Sequence, residues 1–362
     1  MSTVSMTRRG VAALALSAGV AFAGAAYADE PFKVGFVHVG PIGDGGYTYQ
    51  HHLSAEAVKK EFGDKVKVTE VENVPEGPDA ERVITQLAQD GNKIIFTTSF
   101  GFMNPTLKAA AQFPDVKFEH ATGFKTADNM ANYNIRFYEG RYVVGGLAGK
   151  LTKTNTIGYI ASFPIPEVVM GINAAYIGAK KVNPNVKMKI VWVSTWFDPG
   201  KEADAAKALI AQGADVLMQH TDSAAAVKVA AEKGLWAVGQ SSDMAHFAPD
   251  NVVTSIADNW APYVVGRVKA AMDGSWKTGS TWQGMKEGAV ELPTMNAKLS
   301  DDLRKTAEAT IADIAAGKLH PFTGPINKQD GSPWLAAGAT APDGDLLGMG
   351  FYVEGIEGAI PK

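Results

Sequence analysis

Carboxylates and aromatic rings recur where the predicted strands of this chain end. The stretch Val34 to Ser54 begins as an apolar strand, breaks in a glycine-rich loop and restarts as a helix, so Asp44 and Tyr47 lie between strand and helix. In open α/β sheets, ligands bind beyond the carboxyl ends of the strands. Carboxylates accept hydrogen bonds, and aromatic rings at loop mouths pack against flat molecules. The two residue types together predict a site for a flat ligand that donates hydrogen bonds.

Later strand ends carry the same residue types. These strand-end segments are residues 99–102, which include Phe102, the segment with Phe163 and Glu167, residues 196–198 with Trp196, the segment with Asp222, and residues 241–243 with Asp243. Buried aromatic residues usually fill a core, and that is the ordinary role of Tyr47 and Trp196 as well. Their positions at loop mouths favour contact with a ligand instead.

Several of these carboxylates could instead stabilise the first turn of a helix. Asp44 precedes a predicted helix, and the sequence favours capping and ligand contact about equally, since one carboxylate can do both. Asp198 precedes Pro199 and is predicted to be an N-cap first. Glu167 follows a proline, which favours helix initiation. For Asp243, which ends a strand over the predicted cleft, ligand contact is favoured.

Two other kinds of site are disfavoured. His38, His51 and His52 suggest a metal, but His51 and His52 point apart on a helix and no third ligand has suitable spacing, so we predict no metal site. The glycine-rich loop 40–46 lacks the GxxxxGK[ST] pattern of a phosphate loop, and Asp44 would repel phosphate. The chain has no cysteine, which excludes disulfides and thiolate sites.

Predicted strands and helices alternate along the whole chain. This alternation predicts a parallel sheet covered on both faces, and the pattern begins afresh near residue 156, which predicts two doubly wound lobes. We expect lobe 1 to comprise 31–150 plus about 255–283, and lobe 2 to comprise 151–254 plus about 284–362. The segment 152–155 is the predicted first crossover. The cleft between two such lobes is a favoured place for a small-molecule site.

The first 28 residues are predicted to be a cleaved signal peptide. Arg8 and Arg9 precede a short apolar run, and Ala26-Tyr27-Ala28 has the form of a signal peptidase site. Because a lipid anchor needs a cysteine at the cleavage point, we expect an unanchored protein in the periplasm. A net charge of -4 argues against nucleic acid, which requires a basic face.

Several segments resemble the basic membrane protein family of ABC-transporter solute-binding proteins, which bind purine nucleosides and related ligands. The resemblance covers essentially the whole mature chain. It is carried by GDGGYTY at 43–49, FYEGRYVVGGLAGKLTKT at 137–154, IGAKKVNP at 177–184, TWFDPGKEADAAKALIAQGADVLMQ at 195–219 and VTSIADN at 253–259. The resemblance implies a type I periplasmic-binding fold, with two Rossmann-like lobes, three crossovers and a purine held between two aromatic rings.

The family's site residues can be carried over position by position. Tyr47, where the family commonly has phenylalanine, and Trp196 fall on the two stacking aromatics. Asp44 and Asp243 fall on acidic residues of the family's site, and Thr48 stands beside the first aromatic in place of the usual asparagine. At the position of a lysine associated with the ribose, this chain has Asp258. The loop that is glycine-rich in the family is bulkier here and contains Asp222. Both departures favour a free purine base.

These observations predict a non-catalytic binding component that delivers a purine base or nucleoside, adenine being favoured, to an ABC permease in the inner membrane. We expect a monomer without a cofactor. One alternative is a nucleoside-processing hydrolase that uses Asp44 and Asp243, although no activated nucleophile is visible. Another is a ligand-sensing receptor domain for a signalling partner.

Overall fold

The computed structural model describes residues 1–3 and 30–362. The predicted signal peptide, residues 1–28, therefore lies almost entirely outside the described residues. No helix in the part of the chain that the structure describes has the length and the apolar character needed to cross a bilayer.

The first third of the chain alternates strands and helices as predicted. The strands are β1 (Phe32–Val37), β2 (Val66–Val71), β3 (Ile94–Thr97), β4 (Lys117–Ala121) and β5 (Met130–Ile135), and the helices are α1 (Tyr47–Phe62), α2 (Pro78–Gln89) and α3 (Met103–Gln112). All four residues of β3 are buried, as expected for a central strand covered on both faces. In α2, Ala80, Ile84 and Leu87 are buried on one face at helical spacing.

The middle third repeats this alternation. It contains α4 (Phe137–Leu151), β6 (Thr156–Ala161), α5 (Pro166–Val182), β7 (Lys187–Trp192), α6 (Pro199–Ala211), β8 (Val216–Gln219), α7 (Ala225–Glu232), β9 (Trp236–Ser241) and β10 (Val252–Asp258). The remainder contains α8 (Ala261–Asp273), β11 (Ser280–Gln283), β12 (Val290–Glu291), α9 (Asp301–Ala315), β13 (Ile326–Asn327), β14 (Pro333–Leu335) and α10 (Asp343–Leu347).

These strands form two large sheets. The first has the order β11-β5-β4-β3-β1-β2 and is parallel throughout. The second has the order β12-β10-β9-β8-β6-β7 and is parallel except for β12, which runs antiparallel to β10. The predicted α/β class with two parallel-sheet lobes is confirmed.

The chain passes between the two sheets three times. The first passage lies at Arg136, because α4 packs against α5, β10 and α9 of the second half rather than on the first sheet. The prediction that the first crossover lies at 152–155 is therefore wrong. The chain returns to the first sheet between β10 and α8, which packs against α1, and leaves it again after β11.

The packing of α4 on α5 depends on glycine. A Cβ on Gly145 would overlap the carbonyl of Ala175, and a Cβ on Gly178 would overlap the carbonyl of Tyr142. The small residues of the 137–154 motif therefore allow two helix backbones to approach closely. This contact fixes α4, and with it the start of the second lobe.

Candidate functional site

A cavity lies between the carboxyl ends of the two sheets. Both halves of the chain line it, through Val39, Tyr47, Ser99, Phe100 and Thr122 from the first, and Phe137, Glu167, Trp196, His220, Asp222 and Gln240 from the second. The cavity volume is about 30 Å³, well below the ~300–1,000 Å³ usual for ligand pockets, because the two halves lie close together here. Polar and aromatic side chains predominate, which suits a small, partly polar and flat ligand.

The glycine-rich loop brings the two halves into contact beside this cavity. Ser242 donates a hydrogen bond from its hydroxyl to the carbonyl of Gly45. Gly46 lies so close to Asp222 that a Cβ on the glycine would overlap the backbone of the aspartate. The lobes are therefore closed around the cavity, and the glycines of this loop are what permit the close approach.

Asp44 holds the beginning of α1 in place. Its carboxylate accepts hydrogen bonds from the backbone N–H groups of Gly46 at 2.8 Å, Thr48 at 2.9 Å and Tyr49 at 3.0 Å. These bonds satisfy N–H groups that the first turn of a helix leaves free. Of the two roles that the sequence left open for Asp44, the structure provides the capping role, and Asp44 does not line the cavity.

Tyr47 and Trp196 line the cavity from opposite lobes. Tyr47 is the first residue of α1, and its ring packs edge-on against His51 and Trp260. Trp196 lies in the loop between β7 and α6, with its ring 5.0 Å from that of Phe163. The buried hydroxyl of Tyr47 has no hydrogen-bond partner within residues 30–362. The two aromatics predicted for the site are thus brought to one cavity.

Two other predicted site residues lie elsewhere. Phe102 is completely buried in the core of the first lobe with Val74 and Ile84, and Phe100 lines the cavity in its place. Thr48 is also fully buried, with its hydroxyl beside Gly40. The short helical turn 100–102 rotates Phe102 into the core, so neither Phe102 nor Thr48 lines the cavity.

Asp243 is a capping residue in this structure. One carboxylate oxygen accepts the N–H of Ala245 at 3.0 Å, and the other accepts the hydroxyl of Thr294 at 2.5 Å. Asp243 does not line the cavity. The structure shows the capping role, because the strand end turns directly into a short 3-10 helix whose N–H groups need acceptors, and ligand contact by Asp243 stays a prediction.

Asp222 and Asp258 are buried carboxyl groups near the cavity. Asp222 lines it, and burial together with the nearby Asp44, Glu202 and Asp258 carboxyls raises the pKa of Asp222 well above its ordinary value. Burial also raises the pKa of Asp258 well above its ordinary value, although the nearby Ser241 hydroxyl opposes this. Neither oxygen of Asp258 has a partner with hydrogen-bond geometry among the described residues. Burial therefore favours the protonated form of both carboxyl groups, which can donate as well as accept hydrogen bonds.

Glu167 and His220 form the inner wall of the cavity. The sequence placed Glu167 among the candidate strand-end loops but favoured helix initiation for it, and it did not single out His220. Oε1 of Glu167 lies 3.5 Å from Nε2 of His220, and Oε2 accepts a hydrogen bond from Asn134 at 3.2 Å. Glu167 is in the first turn of α5, as the preceding proline predicted, but its side chain turns into the cavity. Its position in a loop between a strand and a helix was the sequence feature that could have identified Glu167 as a site residue.

Arg141 is a fully buried cation behind this wall. It donates hydrogen bonds to the carbonyl of Gln219 at 2.7 Å and to the side-chain oxygen of Gln240. Because that bond occupies the amide oxygen of Gln240, its amide nitrogen faces the opposite way and donates to Ser241 at 2.9 Å. Arg141 therefore fixes the orientation of Gln240, which lines the cavity, and supplies positive charge near Glu167 and Asp258.

His51 and His52, which are adjacent in the sequence, have different surroundings. His51 is buried and stacks on Trp260 at 4.8 Å. His52 approaches Glu70 at 2.9 Å, and Glu56 lies close to both. This cluster was not predicted, since Glu70 is remote in sequence. The ammonium of Lys59 lies 2.6 Å from Glu56 and 3.2 Å from Glu70 and offsets part of their negative charge, so the group is an ion-pair network.

A second, more open groove of about 660 Å³ lies between α4, α5 and the carboxyl-terminal segment. Its charged residues include Lys180, Lys181 and Lys318. In the described part of the chain, none of the buried unpartnered polar atoms belongs to this groove, whereas Tyr47 and His220 contribute such atoms to the cavity between the sheets. The smaller cavity is therefore the better candidate for a specific site.

Known proteins resemble this chain over most of its length. Residues 32–318 match the model of the Bmp family, described as ABC transporter substrate-binding protein PnrA-like. The chain is 56% identical over 349 residues to a purine-binding protein of Brucella abortus strain 2308, which covers 96% of this chain and 99% of that protein. It is 36% identical over 333 residues to a Haloferax volcanii protein that is provisionally named an ABC transporter glucose-binding protein, covering 92% of this chain and 82% of that protein.

The fold is also found among solved structures. An ABC transporter solute-binding protein from Aeropyrum pernix K1 superposes with a TM-score of 0.68 at 20% identity, covering 82% of this chain and 93% of that one. At this identity the likeness concerns the fold alone. It identifies the two-lobed architecture as the type I periplasmic-binding fold.

Proposed function

Because the chain belongs to the Bmp family of ABC transporter substrate-binding proteins, PnrA-like, we propose that its own ligand is a free purine base or a purine nucleoside, with adenine favoured. The family is one of binding proteins rather than enzymes. The observation that carries the proposal is that Tyr47 and Trp196, from opposite lobes, line one buried cavity with Asp222 and Glu167. The similarity to a purine-binding protein supports the same ligand class.

The aromatic residues supply the affinity in this proposal. Each stacked base face contributes roughly 1–3 kcal/mol. Tyr47 is fixed by His51 and Trp260, so its ring needs little further ordering when a ligand binds. Phe100 and Phe137 complete an apolar lining around the edge of the base.

The carboxyl groups supply the specificity. A purine presents amino and ring N–H donors together with ring-nitrogen acceptors. A carboxyl group that is near its titration point can meet either kind of group, because it donates when protonated and accepts when ionised. Asp222 and Glu167 line the cavity and have raised pKa values, which fits them for this task.

Asp258 is assigned to the side where a sugar would lie. It is buried and lacks a hydrogen-bond partner among the residues described, so a ribose hydroxyl could donate to it. Asp258 does not line the cavity, however, and the loop with Asp222 crowds the adjacent space. These features favour a free base over a nucleoside.

We propose that the protein works in the periplasm and passes its ligand to an inner-membrane permease. The signal-like segment 1–28 supports export. The expected outcome of cell fractionation is release of the protein by osmotic shock. Retention in the membrane fraction would contradict the proposed location.

Mass spectrometry of the small molecules released from the purified, denatured protein tests the ligand class. We expect a purine, adenine first, at a substantial fraction of the protein concentration. A sugar, such as the glucose named for the Haloferax relative, would overturn the proposal. A turnover assay on purine nucleosides separates binding from hydrolysis, and we expect no turnover.

A further inference from the structure

Trp196 separates two spaces between the lobes. On one side is the inner cavity, and on the other is an outer gap that is also lined by Glu76, Phe163 and Phe197. Trp196 and Val39 line both spaces. Trp196, together with Val39, therefore lies between the inner cavity and the outer gap.

Glu76 holds that ring from the opposite lobe. Its Oε1 atom accepts a hydrogen bond from the indole Nε1–H of Trp196 at 3.2 Å. Glu76 lies in the loop before α2, whereas Trp196 lies in the loop before α6. Because an indole has a single N–H donor, this bond uses all the hydrogen-bonding capacity of the ring.

The carboxylate of Glu76 is fixed by its own lobe. The same Oε1 atom accepts the hydroxyl of Ser99 at 2.6 Å and the backbone N–H of Gly101 at 2.9 Å. A Cβ on Gly101 would overlap this carboxylate, so the glycine is what allows the approach. Glu76 thus presents an oriented, charged acceptor, and hydrogen bonds to charged acceptors are stronger than neutral ones.

We propose that Glu76 is a positioning residue that holds Trp196 across the mouth of the cavity and thereby sets how long the ligand stays bound. The proposal rests on the proposed function only for the choice of a purine as probe. Since the donor and the acceptor belong to different lobes, the bond forms when the lobes are closed. It therefore stabilises the closed state and should slow dissociation more than it changes association.

Stopped-flow kinetics with adenine and the full-length protein test the proposal. Glu76→Ala should raise the dissociation rate constant roughly fivefold, as expected for one lost hydrogen bond, with the association rate constant within about twofold of wild type. Glu76→Gln keeps an acceptor oxygen and should lie close to wild type. Glu81→Ala, which removes a carboxylate of the same lobe that pairs with Lys108 and lines neither space, is the matched control and should change neither rate constant.

A double-mutant cycle isolates the bond itself. Trp196→Phe keeps an aromatic ring but lacks the N–H donor, so adding Glu76→Ala to it should have no further effect on dissociation. If Glu76→Ala raises the dissociation rate equally in both backgrounds, the residue acts through the loop 99–101 and the proposal is overturned. A dissociation rate unchanged by Glu76→Ala also overturns it.

A second readout needs no ligand. Acrylamide should quench the fluorescence of Glu76→Ala more than that of wild type, and this difference should vanish in the Trp196→Phe background. If neither adenine, guanine nor their nucleosides bind the wild-type protein, the proposed function fails, and the quenching measurement still decides the role of Glu76. Equal quenching of Glu76→Ala and wild type would then overturn the inference.

Discussion

The carboxyl group of Glu167 faces the imidazole of His220 at the inner wall of the cavity, with 3.5 Å between Oε1 and Nε2. Burial raises the pKa of Glu167 to about 7, although the Asn134 hydrogen bond and the charge of Arg141 oppose this. Burial also lowers the pKa of His220 well below its ordinary value. Near neutral pH the pair is therefore a neutral imidazole beside a carboxyl group close to its titration point.

The stability of the ligand-free protein should reflect this titration. Because the pKa of Glu167 is about 7 in the folded protein and about 4.5 in the unfolded chain, its stabilising contribution is present below pH ~4.5 and is lost as the pH rises through 7. Glu167→Gln, which cannot titrate, should make the fall in melting temperature between pH 5 and pH 8 less steep. An identical slope for variant and wild type would show that Glu167 does not hold its proton there.

Trp196→Ala should weaken purine binding by one to two orders of magnitude, because one stacked face is worth roughly 1–3 kcal/mol. Isothermal titration calorimetry with adenine measures this change. Trp334→Ala is a matched control, since Trp334 packs against Phe322 and Phe351 away from the cavity. It should leave the affinity within about twofold of wild type, and an affinity unaffected by Trp196→Ala would rule out stacking by this ring.

Asp222→Asn and Asp243→Asn should differ although both remove one carboxyl group. Asp222 lines the cavity, so its substitution should weaken adenine binding about fivefold, as expected for the loss of one hydrogen bond. The carboxylate of Asp243 is engaged by Ala245 and Thr294, so its substitution should lower stability and leave affinity nearly unchanged. Calorimetry and thermal denaturation separate the two effects. Equal losses of affinity would contradict the assignment of Asp243 as a cap.

Phe100→Ala and Phe102→Ala should separate the cavity from the core. Phe102 is fully buried, and truncation of such a side chain costs about 3–5 kcal/mol of unfolding free energy. Phe100 is half-buried against the cavity, so its truncation should lower affinity with a smaller loss of stability. Urea denaturation and adenine titration of both variants check this. A larger loss of stability for Phe100→Ala would contradict the structure.

The sequence predicted the fold well, because alternating strands and helices with buried apolar runs specify parallel sheets. It did not predict which sheet α4 packs on. Periodicity shows where a helix forms, whereas the close contact through Gly145 and Gly178 determines its partner. For this reason the first crossover lies at Arg136 and not at the predicted segment 152–155.

The site was predicted in part. The position of Tyr47, Trp196 and Asp222 at strand ends predicted that they lie close together, and all three line one cavity. It could not separate Phe100 from Phe102, since a single helical turn reverses the direction in which they point. Arg141 and Gln240 were missed because their pairing joins residues 99 positions apart in the sequence.

The central claim is that the cavity between the lobes binds a purine, and that a free base binds at least as tightly as its nucleoside. Side-by-side calorimetric titration of the full-length protein with adenine, guanine, adenosine, guanosine and glucose tests it most directly. The account predicts that a free base, adenine first, binds at least as tightly as its nucleoside and that glucose does not bind. Binding of glucose without any purine would contradict the ligand class, and much tighter binding of both nucleosides would contradict the role given to Asp258.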